Sequence, residues 1–155
     1  MSTPRSTPEP AWDPDCEIVS RRVFAAPRER VFAAWTDPVH LAVWWGPKGF
    51  TNTFEAFEPV PGGAWRFVMH GPDGTDYPNQ SVFVEVEAPS RLVFDHVSGH
   101  RFRVVATFEA ADGGTEVTFR MRFESAEACA EVRDFVVPAN EENFNRLEAE
   151  LGRMG

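Results

Sequence analysis

Apolar side chains recur along this chain with two periods, and the period changes at definable places. Residues 17–24 alternate, which predicts a first strand with Ile18 and Val23 as candidates for its buried side. Val31, Phe32 and Trp35 then fall at helical spacing behind Pro27, a residue suited to a first helical turn, so residues 27–35 read as a short helix. Asp37 before Pro38 is an N-cap signal for a second one. Its buried face carries Leu41, Trp44 and Trp45, and Gly46-Pro47 stops it.

The middle of the chain alternates. Residues 50–58, 64–70, 80–87, 91–96, 101–110 and 115–123 read as strands. Turn signals divide them at Pro61-Gly62-Gly63, Gly71-Pro72-Asp73-Gly74, Ala88-Pro89-Ser90 and Asp112-Gly113-Gly114. Trp65, Phe67 and Met69 share a face, as do Leu92, Phe94 and His96, and then Val117, Phe119, Met121 and Phe123. Such alternation belongs to an antiparallel sheet with one wet face. Ser125 caps a short helix holding Val132 and Phe135. Pro138 ends that run and opens the last helix, residues 138–151, with Gly152 as its stop. In that helix Asn140, Asn143, Phe144, Leu147 and Leu151 share one face, while Glu141, Glu142, Arg146, Glu148 and Glu150 lie largely on the other. The order is therefore strand, two short helices, six strands, then helices: an α+β domain over residues 16–152. Too few helices precede the sheet to cover it, so the last helix must pack into its concave side.

Composition narrows the use of this domain. Apolar residues make up 43% of the 155, with 14 Phe and 5 Trp against 1 Tyr, which predicts bulky apolar walls with few hydroxyl handles. A net charge of -9 repels phosphate backbones and anionic bilayers, so neither nucleic acid nor a membrane surface is expected as a partner. Cys16 and Cys129 form no short motif and read as two free thiols. Residues 1–15, rich in Pro, Ser and Thr, lack the apolar stretch of a signal peptide and read as a disordered tail on a cytoplasmic protein.

One string of residues is familiar. Trp35, Trp44-Trp45-Gly46-Pro47, Pro61-Gly62-Gly63, the run from Trp65 to Gly74 and Asp76-Tyr77-Pro78-Asn79, in this order of elements, resemble the SRPBCC superfamily with its START-like, helix-grip fold. Within it the chain is similar to the bacterial branch named after the C-terminal domain of the activator of the ninety-kilodalton heat-shock protein ATPase. The resemblance implies a curved seven-stranded antiparallel sheet wrapped around a long C-terminal helix, with a cavity between them. Relatives bind lipids, hormones, polyketides or other apolar molecules, and a few catalyse cyclisation or hydrolysis.

The candidate site follows from strand parity and helical period. Asn140 and Asn143 head the apolar stripe that Phe144 continues. A buried amide without a partner costs about 1–3 kcal/mol, so backbone, water or a ligand must satisfy both. Trp65, Phe67, Met69, Phe94 and Phe119 form the facing wall, and Trp44 and Trp45 close one end as part of a helical lid. The same stripes also serve as ordinary core, the commoner fate of such residues. His96 shares the inward face and is a candidate general base, with an acid such as Glu85 as the other. No nucleophile stands beside a base in a recognisable motif, so no catalytic residue is assigned. His70 and Asp76 flank a turn and are placed to pair. Neither the histidines nor the cysteines offer a metal-ligand spacing, and no metal or other cofactor is expected. The expected function is binding of a small apolar molecule. The alternatives are a cyclase- or hydrolase-like enzyme using the same cavity and, on the branch's name alone, a chaperone ATPase-activating partner.

Overall fold

The computed structural model describes residues 17–99 and 101–154. The tail expected at residues 1–15, Cys16 and His100 lie outside the described residues. Seven strands form one sheet in the order β1-β7-β6-β5-β4-β3-β2, with every neighbouring pair antiparallel. They are β1 (Glu17–Phe24), β2 (Thr51–Phe57), β3 (Ala64–His70), β4 (Asp76–Glu87), β5 (Arg91–His96), β6 (Phe102–Ala111) and β7 (Gly114–Phe123). Helices α1 (Arg28–Thr36) and α2 (Pro38–Trp44) follow β1, and α3 (Ala126–Met154) ends the chain. The Asp37 side chain accepts from the Val39 N–H at 3.0 Å, the cap that starts α2.

Two irregularities explain where simple alternation fails. Between Phe54 and Ala56 the register against β3 shifts, so that Phe54 faces Phe67 and Phe57 faces Trp65 although the two are three positions apart. Between Phe83 and Glu85 the same device brings Phe83 opposite Phe94 and Val86 opposite Leu92. Each extra residue returns a second apolar side chain to the concave face and bends the strand. β1 shows the cost of ignoring parity. Ile18 is buried, but Val23 is 45% exposed and not on the buried side, because an odd separation puts the two on opposite faces.

β4 begins at Asp76, earlier than the expected residue 80. Its polar first residues pair with β3, Asp76 opposite His70 and Pro78 opposite Val68. Pairing with β5 begins only at Ser81, so Pro78 sits where the strand has no neighbour on that side and its missing N–H goes unneeded.

The carboxy-terminal segment is one helix of 29 residues, not two, and Pro138 lies inside it. Ser125 Oγ accepts from the Ala128 N–H at 3.1 Å and caps it. Gly152 does not stop it, and the helix runs on to Met154. Pro138 removes the amide that would bond the Asp134 carbonyl. Both residues are exposed, on the solvent side of the helix, where a carbonyl left without an intrahelical bond costs little, and the helix passes through. Pro138→Ala should restore the bond and raise stability by about 2 kcal/mol, less what the freer unfolded chain returns. A thermal melt no higher than the parent's would show that the helix already absorbs the break.

Asn140, Asn143, Phe144, Leu147 and Leu151 form the seated face of α3, all buried. Two positions expected on the far face are engaged as well. Glu150 is buried and meets His40 of α2, and Arg146 reaches the chain between α2 and β2. Because α1 and α2 pack along one flank of α3, the helix is covered over a wider arc than the apolar stripe marks. Beneath the three helices lie Trp35, Trp44, Phe24 and Phe108, each almost wholly excluded from solvent.

Candidate functional site

Between the concave face of the sheet and α3 lies a pocket of about 650 Å³. Trp65, Phe67 and Met69 of β3, Phe94 and His96 of β5 and Phe119 of β7 line it from the sheet. Asn140 and Asn143 line it from the helix, and Trp45 from the connection after α2. Trp44 and Phe144 are not among the lining residues. Trp44 turns away, and its Nε1 donates to the Ala34 carbonyl at 2.8 Å, tying α2 to α1. Phe144 is buried against Phe24 and Phe119. Trp45 lies one residue beyond the end of α2, as its C-cap rather than on a helical lid. There its ring meets Trp65 edge-on at 5.3 Å.

The two amides differ in what holds them. Asn143 Oδ1 accepts from the buried Gly46 N–H at 3.0 Å. That bond orients the side chain, and Nδ2 has no hydrogen-bond partner among the described residues. Asn140 Nδ2 lies 3.4 Å from Ser20 Oγ and 3.6 Å from Met121 Sδ, both long contacts. Trp65 Nε1 is a third polar atom at this wall, buried without a partner among the described residues.

The wall beside Asn143 is a short clamped loop. Arg146 Nη1 donates to the Gly46 and Pro47 carbonyls at 2.9 and 2.8 Å. Its Nη2 donates to those of Val43 and Phe50 at 2.7 and 2.9 Å. Burial lowers the pKa of this guanidinium from its ordinary value. Asn52 Nδ2 adds bonds to the Trp45 carbonyl at 2.8 Å and the Ala42 carbonyl at 3.1 Å. Gly46 has φ +105, a left-handed backbone that strains any residue with a Cβ, so this turn favours glycine. Sequence reasoning missed Arg146. The available signal was the Trp45-Gly46-Pro47 turn, where the chain leaves regular structure and few of its carbonyls find backbone partners, so donors must come from elsewhere.

At the other end of the pocket, His96 Nε2 lies 2.7 Å from Asn79 Oδ1, and the imidazole stacks on Phe102 at 4.6 Å. Asn79 Nδ2 donates to the Tyr77 carbonyl, so its oxygen is the end facing His96 and Nε2 carries the proton. His70 pairs with Asp76 through Nδ1 at 2.8 Å and with Thr53 through Nε2 at 2.7 Å. It sits on the sheet's outer side, since the alternate residue Met69 faces the pocket. Among the described residues, no group of three or more His, Cys, Asp or Glu could hold a metal ion. Cys129 is a buried free thiol.

Below the pocket, Glu150 accepts from His40 at 2.7 Å and from Arg153 at 2.9 Å. Burial pushes its carboxyl up, but the bonds and charges of His40 and Arg153 together outweigh this and hold it below the ordinary glutamate value. A depressed folded-state pKa gives stability that is present above the unfolded value, about 4.3, and is lost as pH falls through the folded one. The melting temperature of Glu150→Gln should therefore fall less steeply than the parent's between about pH 5 and pH 3. Parallel acid limbs would mean that Glu150 contributes nothing through its charge.

A sheet of seven antiparallel strands gripping one long C-terminal helix is the helix-grip architecture of START-like domains. The chain belongs to the family described as activator of Hsp90 ATPase homolog 1-like proteins, whose pattern matches residues 25–152. Solved structures share the fold. A protein from Arthrobacter aurescens is 29% identical with a TM-score of 0.83, covering 89% of this chain and 87% of its own. One from Rhodobacter sphaeroides is 28% identical with a TM-score of 0.82, covering 90% and 94%. One from Nitrosomonas europaea, at 22% identity, has a TM-score of 0.84 and covers 96% of this chain and all of its own. No curated protein matches the chain. Among the described residues, no helix is long and apolar enough to cross a membrane.

Proposed function

We propose that the chain binds a small apolar molecule in the pocket between the sheet and α3. The observation that carries this reading is the pairing of an aromatic wall with an oriented amide. Trp45, Trp65, Phe67, Phe94 and Phe119 offer apolar area, and Asn143 Nδ2 offers a donor that no described protein group uses. Concave apolar walls with a few placed polar groups are what small-molecule sites are made of, and a volume near 650 Å³ lies within their usual range. If the pocket were only core, Asn143 Nδ2 would be a needless desolvation cost.

Nile red, an uncharged dye that brightens in apolar surroundings, tests this directly. Saturable binding near one dye per chain is expected. Ala139→Trp, which places a large ring at the half-buried pocket wall on α3, should weaken it at least about tenfold, since a filled site loses the apolar area that drives binding. Non-saturating uptake, or equal binding by the filled variant, would remove the pocket as the site. Native mass spectrometry of the freshly purified protein then identifies any molecule that it carries.

A further inference from the structure

The charges around the pocket say more than its shape. Among the described residues lining it, Asp76 is the only one with a carboxylate, ammonium or guanidinium group, and its carboxylate is paired with His70 on the sheet's outer side. Two cations packed close to it are committed elsewhere. Arg146 spends four short bonds on loop carbonyls, and Arg22 binds Glu141 and Asn145 on the far side of α3. His96 presents its Nε2 proton to Asn79. The whole chain carries -9, so its field opposes an approaching anion as well.

We infer that the pocket selects uncharged molecules and rejects carboxylates and phosphates built on the same skeleton. The inference rests on the binding function proposed above and names its ligand class. An anion drawn between aromatic walls gives up its water without gaining a counter-charge, and a carboxylate so placed must protonate or stay out. A neutral hydroxyl, ether or carbonyl needs only one donor, and Asn143 Nδ2 supplies it at the helix wall. The open amide and the missing cation thus point to the same chemistry, an apolar body with an uncharged hydrogen-bond acceptor.

The test uses two probes with one ring system, 1-pyrenemethanol and 1-pyrenecarboxylate, at pH 8, where the acid is fully ionised. Energy transfer from Trp45 and Trp65, which line the pocket, reports binding of either. The alcohol should bind at least about tenfold more tightly than the carboxylate, a difference of about 1.4 kcal/mol. Val136→Lys, at a half-buried lining position on α3, should reduce or invert that preference by supplying the missing cation. Equal or tighter binding of the carboxylate by the parent would overturn the inference while leaving a binding function standing. So would an unchanged preference in Val136→Lys with both probes still bound. Failure of both pyrenes and of Nile red would overturn the binding function, and this inference with it.

Discussion

Phe144→Ala is expected to cost the fold about 4 kcal/mol, the middle of the range for a fully buried phenylalanine. The ring is wholly excluded from solvent. It meets Phe24 edge-on at 5.4 Å and Phe119 at 6.1 Å, and the Arg22 guanidinium stands over it at 5.5 Å. Phe24 and Phe119 belong to paired strands, β1 and β7, and cannot close in on the space that the ring leaves. The variant therefore loses transfer energy and keeps most of the cavity. Arg22 also loses its cation–π contact, although its bonds to Asn145 at 2.8 Å and Glu141 at 2.9 Å remain. A urea titration should show a lowered midpoint with an unchanged slope. Val137→Ala on the same helix is the control. Its side chain is 42% exposed, and the change should stay within about 0.5 kcal/mol. A loss at Phe144 no larger than at Val137 would mean that α3 is not seated on the sheet.

The seat of α3 was legible because it rests on two independent periods. Strand parity put Trp65, Phe67, Phe94 and Phe119 on one face, and helical spacing put Asn140, Asn143, Phe144 and Leu147 on another. Apolar faces must meet. The residues that escaped this reasoning are those whose partners are set by tertiary geometry. Arg146 and Glu150 look like solvated charges on a helical wheel, since a wheel knows only one buried stripe. They are covered because α1 and α2 pack against the flank of α3, and no local pattern reports that. Pro138 and Gly152 misled for the opposite reason. Both are strong local breakers, yet a helix whose second half is buried along Asn140–Leu151 gains enough from packing to carry an exposed proline and a late glycine. Phe54 with Phe57, and Phe83 with Val86, violate alternation on one face, which was the available sign of the bulges. Trp44 and Trp45 show how little separates a core residue from a pocket residue. They are neighbours in sequence, but the helix ends between them, so one ring points to α1 and the other into the pocket.

Arg146→Leu should destabilise the protein by about 3 kcal/mol and also loosen one wall of the pocket. The chain from Val43 to Phe50 leaves α2, turns at Gly46 and enters β2 with few regular hydrogen bonds of its own. Its carbonyls would face a half-buried, poorly hydrated space without the guanidinium that bonds Val43, Gly46, Pro47 and Phe50. Bonds to a charged group are worth about 1.5–3 kcal/mol each when measured singly, but carbonyls sharing one donor group do not add, so a value near the top of that range is expected for the set. Leucine matches the apolar stem and supplies none of the donors. Arg146→Lys is the sharper comparison, because lysine keeps the charge but lacks the planar fork that spans separate carbonyls, and it should recover less than half of the loss. Hydrogen exchange locates the effect. The Gly46 amide, bonded to Asn143 Oδ1, and the Lys48 amide, bonded to Glu142 Oε1, should lose protection before the strands do. Trp45, Gly46, Pro47 and Phe50 all line the pocket, so Nile red should bind both variants more weakly, leucine more so than lysine. If Arg146→Leu melted with the parent and kept the Gly46 amide protected, the loop would have to be held by Asn52, Glu142 and Asn143 without it, and the clamp would be incidental to the site.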